Sequence, residues 1–188
     1  MRKSMIALPL MALALVAAKP APPAAPVASL TAPAAVAADP ANRLNIELSS
    51  GGTVVLQLRP DIAPNHVYRI QTLASQGFYN GLTFHRVIPG FMAQGGDPTG
   101  TGSGGSKLPD LKAEFNSEPH VRGTCSMART SAPNSANSQF FICFDDARFL
   151  DKQYTVWGNV ESGMEHVDAL PKGEPPREPG KIVTATVT

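Results

Sequence analysis

The sequence predicts a mainly β fold, an antiparallel barrel or sandwich. Three observations carry this. Short apolar runs recur at 82–88, 91–94, 123–128, 139–144 and 154–160. Loops rich in Gly, Pro, Asn and Ser separate them, chiefly 95–110 and 129–138. Helical periodicity occurs in two segments only, and these do not alternate with strands as a parallel sheet would require.

Each element has a local reason. Leu44, Ile46 and Leu48 alternate with polar residues, and so do Val54, Leu56 and Leu58. Ser49-Ser50-Gly51-Gly52 between them is turn chemistry, so the pair reads as a hairpin. Ala63, Val67, Ile70 and Ala74 then recur at helical spacing, with Pro64 suited to a first turn and Gly77 to a stop. The five apolar runs follow as strands. ESGMEHVDAL at 161–170 reads as a second, short helix, and Ile182, Val183, Ala185 and Val187 as a closing strand. There is no internal repeat.

The chain has 188 residues, 43% of them hydrophobic and 16% charged, which allows one well-buried core but not two ordinary domains. Arg2, Lys3, Lys19 and Asp39 give residues 1–41 a charge of +2; the whole chain carries +1, so residues 42–188 sum to −1. No basic face interleaved with aromatics exists, and nucleic acid is not an expected partner. Arg2 and Lys3 precede the apolar stretch Met5–Ala18, which ends in the small residues Val16-Ala17-Ala18. Residues 1–18 therefore read as a signal peptide. The stretch is shorter than the roughly 20 residues a comfortable membrane span needs, so stable insertion is not expected. Residues 19–41 hold six prolines and ten alanines and read as a semi-extended linker, leaving 42–188 as the folded domain.

Several site types are weighed and set aside. Gly100-Thr-Gly102-Ser-Gly-Gly105 fits G-x-G-x-x-G, but Asp97-Pro98 precedes it and Pro109 follows, so the strand and helix of a dinucleotide site are missing. The histidines His66, His85, His120 and His166 form no short-spaced pair for a metal. No Gly-x-Ser-x-Gly elbow is present. His85 is expected to be structural, beside Arg86. Cys125 and Cys143 each sit in an apolar, strand-like run; a disulfide is open to them in an exported chain, but two unpaired core thiols are the favoured reading. No cofactor and no metal are expected.

One residue resists a bland reading. TFHRVIPGFMAQGGDPTG at 83–100 places Arg86 among Phe, Val, Ile and Met, where a cation is out of place without a partner. The same block, FHRVIPGFMAQGGD at 84–97, with NSQFFI at 137–142, FLDKQYTVWGNV at 149–160 and GMEHVDALPKGEPP at 163–176, resembles the cyclophilins, peptidyl-prolyl cis–trans isomerases. The resemblance covers about residues 43–188 and is greatest to the short bacterial exported members. It implies a closed eight-stranded antiparallel β-barrel capped by two helices, a periplasmic location and proline-containing polypeptides as substrates. A monomer is expected.

By the same resemblance Arg86 matches the family's catalytic arginine and Gln94 the glutamine that orients it. Phe91, Met92 and Phe141 match the walls of a proline pocket, with Leu150 lining it, and Phe149 and Tyr154 are expected among its substrate-binding residues, Phe149 as part of the apolar grip on the ring. Ala128 and Arg129 match a strand edge that pairs with substrate main chain, and Gln139 a rim residue. Three positions depart from the pattern: Arg129 stands where many members have Asn, Tyr154 where eukaryotic members have His, and Phe149 where they have Trp. Phe149 lacks the indole N–H donor, so cyclosporin is expected to bind weakly.

The chemistry suits these residues. Rotation about an amide faces a barrier of about 18–20 kcal/mol, and uncatalysed X–Pro exchange takes tens to hundreds of seconds. No covalent bond changes, so no nucleophile is required. At the twisted transition state the prolyl nitrogen regains a lone pair, and a donor aimed there binds that state better than the ground state. A proline-binding module that does not catalyse would use the same pocket, but would not demand Arg86 together with Gln94.

Overall fold

A computed structural model describes residues 31–32 and 42–188. The expected signal peptide 1–18 and linker 19–41 lie outside these residues, Thr31 and Ala32 apart. The strands are β1 (Arg43–Leu48), β2 (Thr53–Leu58), β3 (Arg86–Ile88), β4 (Met92–Gly95), β5 (Thr124–Met127), β6 (Phe140–Cys143), β7 (Val156–Ser162) and β8 (Ile182–Val187). Helix α1 spans Pro64–Ser75 and α2 spans Met164–Asp168, and a 3-10 turn covers Arg148–Leu150.

All eight strands join one sheet in the order β3-β4-β6-β5-β7-β2-β1-β8, and every neighbouring pair is antiparallel. The expected closed barrel is corrected here: the sheet curls into an open half-barrel, and its edge strands β3 and β8 share no ladder. Single bridges from Thr83 to Lys181 and from Val87 to Gly173 stitch the seam. The apolar run 82–88 gives only three strand residues for the same reason. Its first half bonds the C-terminal segment piecemeal, through Phe84 N–H to Gly180 O at 2.8 Å and Ile182 N–H to Leu82 O at 2.9 Å.

The second helix is also shorter than its pattern. Val55 pairs with Ser162 and Leu56 with Val160, so β7 claims the first residues of 161–170. Gly163, at φ 82°, then turns the chain, where a Cβ would lie 2.3 Å from Thr53 O.

Helix α1 buries Val67, Ile70, Leu73 and Ala74. Its Ncap, Ala63, offers no side-chain cap. Glu114 supplies one from a distant loop: its carboxylate accepts the N–H groups of Asn65 at 3.1 Å and His66 at 3.0 Å, and the His66 ring at 2.6 Å. Two orphan donors of the first turn are satisfied there, at the positive end of the helix dipole. Burial alone would raise the Glu114 carboxyl, but the His66 ring and these amides hold it below its usual range.

Phe140 organises the interior. Its ring meets Tyr79, Phe84 and Trp157 edge-on, with centroids 5.7, 6.2 and 5.9 Å away. These four are essentially inaccessible to water. Phe140 and Ile142 face this core, whereas Phe141 and Cys143 face a second apolar cluster with Met92 and Ala147. The sheet is thus apolar on both faces along β6. That is why β6 reads as an unbroken apolar run.

Candidate active site

The second cluster lies on the outer face of β3-β4-β6-β5. Period-two alternation assigns each residue: Val87 and Ala93 point into the core, so Arg86, Met92 and Gln94 point outward. The apolar setting of Arg86 in the sequence belongs partly to the core behind the sheet and partly to a pocket in front of it. Arg86, Phe91, Met92, Gln94, Ala128, Arg129, Phe141, Leu150 and Tyr154 line a cavity of about 130 Å³.

Arg86 is anchored rather than loose. Its Nε–H donates to Glu174 Oε1 at 2.5 Å, with 42% of the arginine side chain still exposed. Among the described residues, no acceptor engages Nη1 or Nη2. The Gln94 amide does not reach the guanidinium; it donates to Gln139 Oε1 at 2.9 Å. Gln139 in turn donates to the carbonyls of Gly102 and Gly104 at 3.0 and 2.8 Å. It therefore sits beside a second, larger cavity of about 510 Å³, walled by residues 102–106, Asp110, Arg129, Thr130, Ser135 and Asn137.

Phe149 is displaced from the expected site. It is 65% exposed and does not line the smaller cavity. Residues in a 3-10 turn are about 120° apart, so only one neighbour can face inward, and Leu150 takes that place. Phe149 instead rests on Phe91, with ring centroids 5.5 Å apart. Arg129 lies over the Tyr154 ring at 4.6 Å and donates to Gln153 O through Nε and Nη2, so its charge sits between the two cavities.

A buried string behind Phe141 escaped the sequence reading. His120, stacked on Phe141 at 6.0 Å, contacts Asp151 Oδ1 through Nδ1 at 3.0 Å and Ser126 Oγ through Nε2 at 3.0 Å. Burial lowers the imidazole below its ordinary value, against the pull of Asp151. The Ser126 hydroxyl donates its one proton to Thr155 O at 2.9 Å, so Asp151 and Ser126 both present acceptors to the ring, and the single N–H of a neutral imidazole goes to one of them. Ser–His–Asp order invites comparison with a hydrolase, but Ser126 and His120 are fully buried. The string braces a pocket wall. No local sequence signal ties these residues together, because the string is assembled from β5, the residue that follows the 3-10 turn and the loop before β5.

The remaining expectations also find their places. His85 is buried, among the described residues neither ring nitrogen has a hydrogen-bond partner, and burial lowers it below the ordinary histidine value. Cys125 and Cys143 are both buried and unpaired. Cys125 pairs with Ile142, so Cys143 projects to the opposite face of the sheet. Burial pushes the Cys143 thiol up to about 12.

The glycine-rich loop holds a carboxylate. Asp97 accepts the N–H groups of Thr99, Thr101, Gly102 and Gly104 at 2.7 to 3.1 Å. Burial alone would raise Asp97, but these amides and the Thr99 hydroxyl bring it down to about 2. A Cβ at Gly104 would meet Asp97 Oδ1 at 2.1 Å. The loop's glycines wrap an internal anion, which accounts for a motif that also suits phosphate.

Comparison with known proteins agrees with this architecture. Residues 43–187 match the family described as "Cyclophilin type peptidyl-prolyl cis-trans isomerase/CLD". A probable peptidyl-prolyl cis-trans isomerase of Brucella suis is 53% identical over 167 residues, covering 80% of this chain and 85% of that protein. Peptidyl-prolyl cis-trans isomerase B of Bacillus subtilis is 41% identical over 133 residues, covering 70% of this chain and 92% of that protein. A crystal structure of a Hirschia baltica cyclophilin superposes with a TM-score of 0.72 at 34% identity, covering 79% of this chain and 74% of that one. A Cryptosporidium parvum cyclophilin type isomerase, crystallised in the presence of the dipeptide Ala-Pro, gives 0.72 at 29% identity, covering 78% of this chain and 98% of that one. On the strength of a match running from β1 to β8, this chain belongs to the cyclophilin-type peptidyl-prolyl cis–trans isomerases.

Proposed function

We propose that this enzyme accelerates X–Pro rotation in exported polypeptides, with Arg86 stabilising the twisted amide. One observation carries the reading: a guanidinium whose Nη groups have no acceptor among the described residues lines a small cavity walled by Phe91, Met92, Phe141 and Leu150. The apolar walls grip a pyrrolidine ring and exclude water. The guanidinium donates to the prolyl nitrogen as that nitrogen becomes pyramidal, and a second N–H is free for a neighbouring carbonyl. A charge-assisted hydrogen bond of about 1.5–3 kcal/mol gives roughly one to two decades of rate. Fixing the ring while the preceding carbonyl swings supplies the rest.

Arg129, just past the end of β5, offers its backbone to the substrate main chain, while the Ala128 N–H is donated to Gln139 O at 2.9 Å. The larger cavity takes side chains flanking the proline, and Arg129 between the cavities favours acidic ones. The Ala-Pro dipeptide present with the Cryptosporidium relative is in keeping with a proline-containing substrate. Export to the periplasm rests on Arg2, Lys3 and the apolar Met5–Ala18.

The test is Arg86→Ala, assayed by NMR exchange between the cis and trans forms of a proline peptide, with thermal melting as a folding control. The expected loss in kcat/KM is about 10- to 100-fold. A folded variant with undiminished exchange overturns the assignment of Arg86.

A further inference from the structure

The residue that holds Arg86 comes from the far end of the chain. Val87 N–H donates to Gly173 O and Gly173 N–H donates to Val87 O, both at 2.8 Å. That reciprocal exchange is a hydrogen-bonded antiparallel pair. In such a pair, the residue before one partner faces the residue after the other. Arg86 therefore stands opposite Glu174, and alternation puts both on the outer face, away from the buried Val87 side chain. Gly173 lies at φ 150°, and a Cβ there would fall 2.6 Å from Pro176 Cα. The loop can present Glu174 at this point only because residue 173 has no side chain.

We propose that Glu174 is a positioning residue for the reaction: by accepting the Nε–H of Arg86 it fixes the plane of the guanidinium and leaves Nη1 and Nη2 for the substrate. This rests on the role given to Arg86 above. An arginine stem has several rotatable bonds, and a partly exposed head would sample many directions. Gln94, which the family resemblance made the orienting group, is committed to Gln139. Glu174 contacts the edge of the guanidinium that the reaction does not need. The pairing costs no catalytic charge, because the guanidinium remains protonated. Both side chains are half-exposed, so the effect is on the scale of a surface ion pair.

The experiment compares wild type with Glu174→Ala, Glu174→Gln and Arg86→Ala in the peptide exchange assay. Melting curves accompany each variant. The expected result for Glu174→Ala is a loss of about three- to five-fold in kcat/KM. It falls on kcat, with KM and melting nearly unchanged, because the proline pocket is intact. Glu174→Gln keeps an oxygen acceptor for Nε–H and recovers most of the loss. The ¹⁵N-detected Arg86 Nε–H signal shifts in the alanine variant and returns toward its wild-type position in the glutamine variant. Wild-type or raised kcat/KM in Glu174→Ala overturns the proposal, as does a glutamine variant no better than alanine. If Arg86→Ala keeps full activity, the role of Arg86 fails first; if it is inactive while Glu174→Ala is unchanged, only the role of Glu174 fails.

Discussion

Single residues decide what this pocket offers a ligand. Arg86 was visible in the sequence because a cation inside an apolar run demands an explanation. Glu174 was not, because its partner lies 88 positions away and the two meet only through the Gly173–Val87 bridge. Phe149 was legible as a departure in chemistry, but its outward direction was set by the 3-10 turn. Exposed on Phe91, it offers a hydrophobic shelf with no N–H. Cyclosporin is expected to inhibit the wild type weakly. Phe149→Trp restores one donor and should tighten inhibition by about two- to ten-fold, the value of one neutral hydrogen bond. An inhibition titration in the peptide exchange assay checks this; unchanged affinity in Phe149→Trp would show that the missing donor is not the cause.

Among the elements, the loops that border the larger cavity hold themselves together by buried polar anchors. Arg69 of α1 donates to Asn137 O at 3.1 Å and Pro109 O at 2.6 Å, tying both loops to the helix. Asp97 draws four amides of the glycine-rich loop around one carboxylate, and that loop's carbonyls then hold Gln139 against Gln94. Asp97→Asn keeps the shape but removes one carboxylate oxygen and the charge. It should cost about 2 kcal/mol in urea unfolding, in line with hydrogen bonds to a charged group, and speed amide exchange at Gly102 and Gly104. Unaltered exchange at those two amides would refute the anchoring. The strand positions, both helices and the two long loops were legible from periodicity and turn residues. The loop's purpose was not, because Asp97 is an ordinary loop residue until the chain folds back on it. The Glu114 cap of α1 was hidden likewise: its acceptor comes from 48 or 49 residues along the chain.

Over the whole molecule, the apolar character of both sheet faces links stability to the site. β6 sends Phe140 inward and Phe141 outward, so the core and the pocket wall share one backbone. Two buried histidines lie close to the site, His120 stacked on Phe141 and His85 preceding Arg86 in the chain. Burial lowers both below the ordinary value of 6.5. The unfolded chain therefore binds more protons than the native one as pH falls below about 6.5, and stability must fall with it. The carboxylates act in a lower window. Asp97 stands at about 2 against 3.8, and Glu114 and Asp151 are held below their usual values. Their contributions are complete above the unfolded carboxylate range and vanish as pH falls through about 4 toward 2. For Asp97 the loss is roughly 2 kcal/mol, because each tenfold change in proton affinity is worth about 1.4 kcal/mol. Urea unfolding across pH 8 to 3 should thus show a plateau above about 7, a decline below 6.5 and a steeper one below 4. His120→Asn and His85→Asn, tested separately, should each flatten the upper decline and leave the lower one in place. A wild-type plateau that extends unbroken to pH 5 would mean that neither histidine is held neutral by the fold.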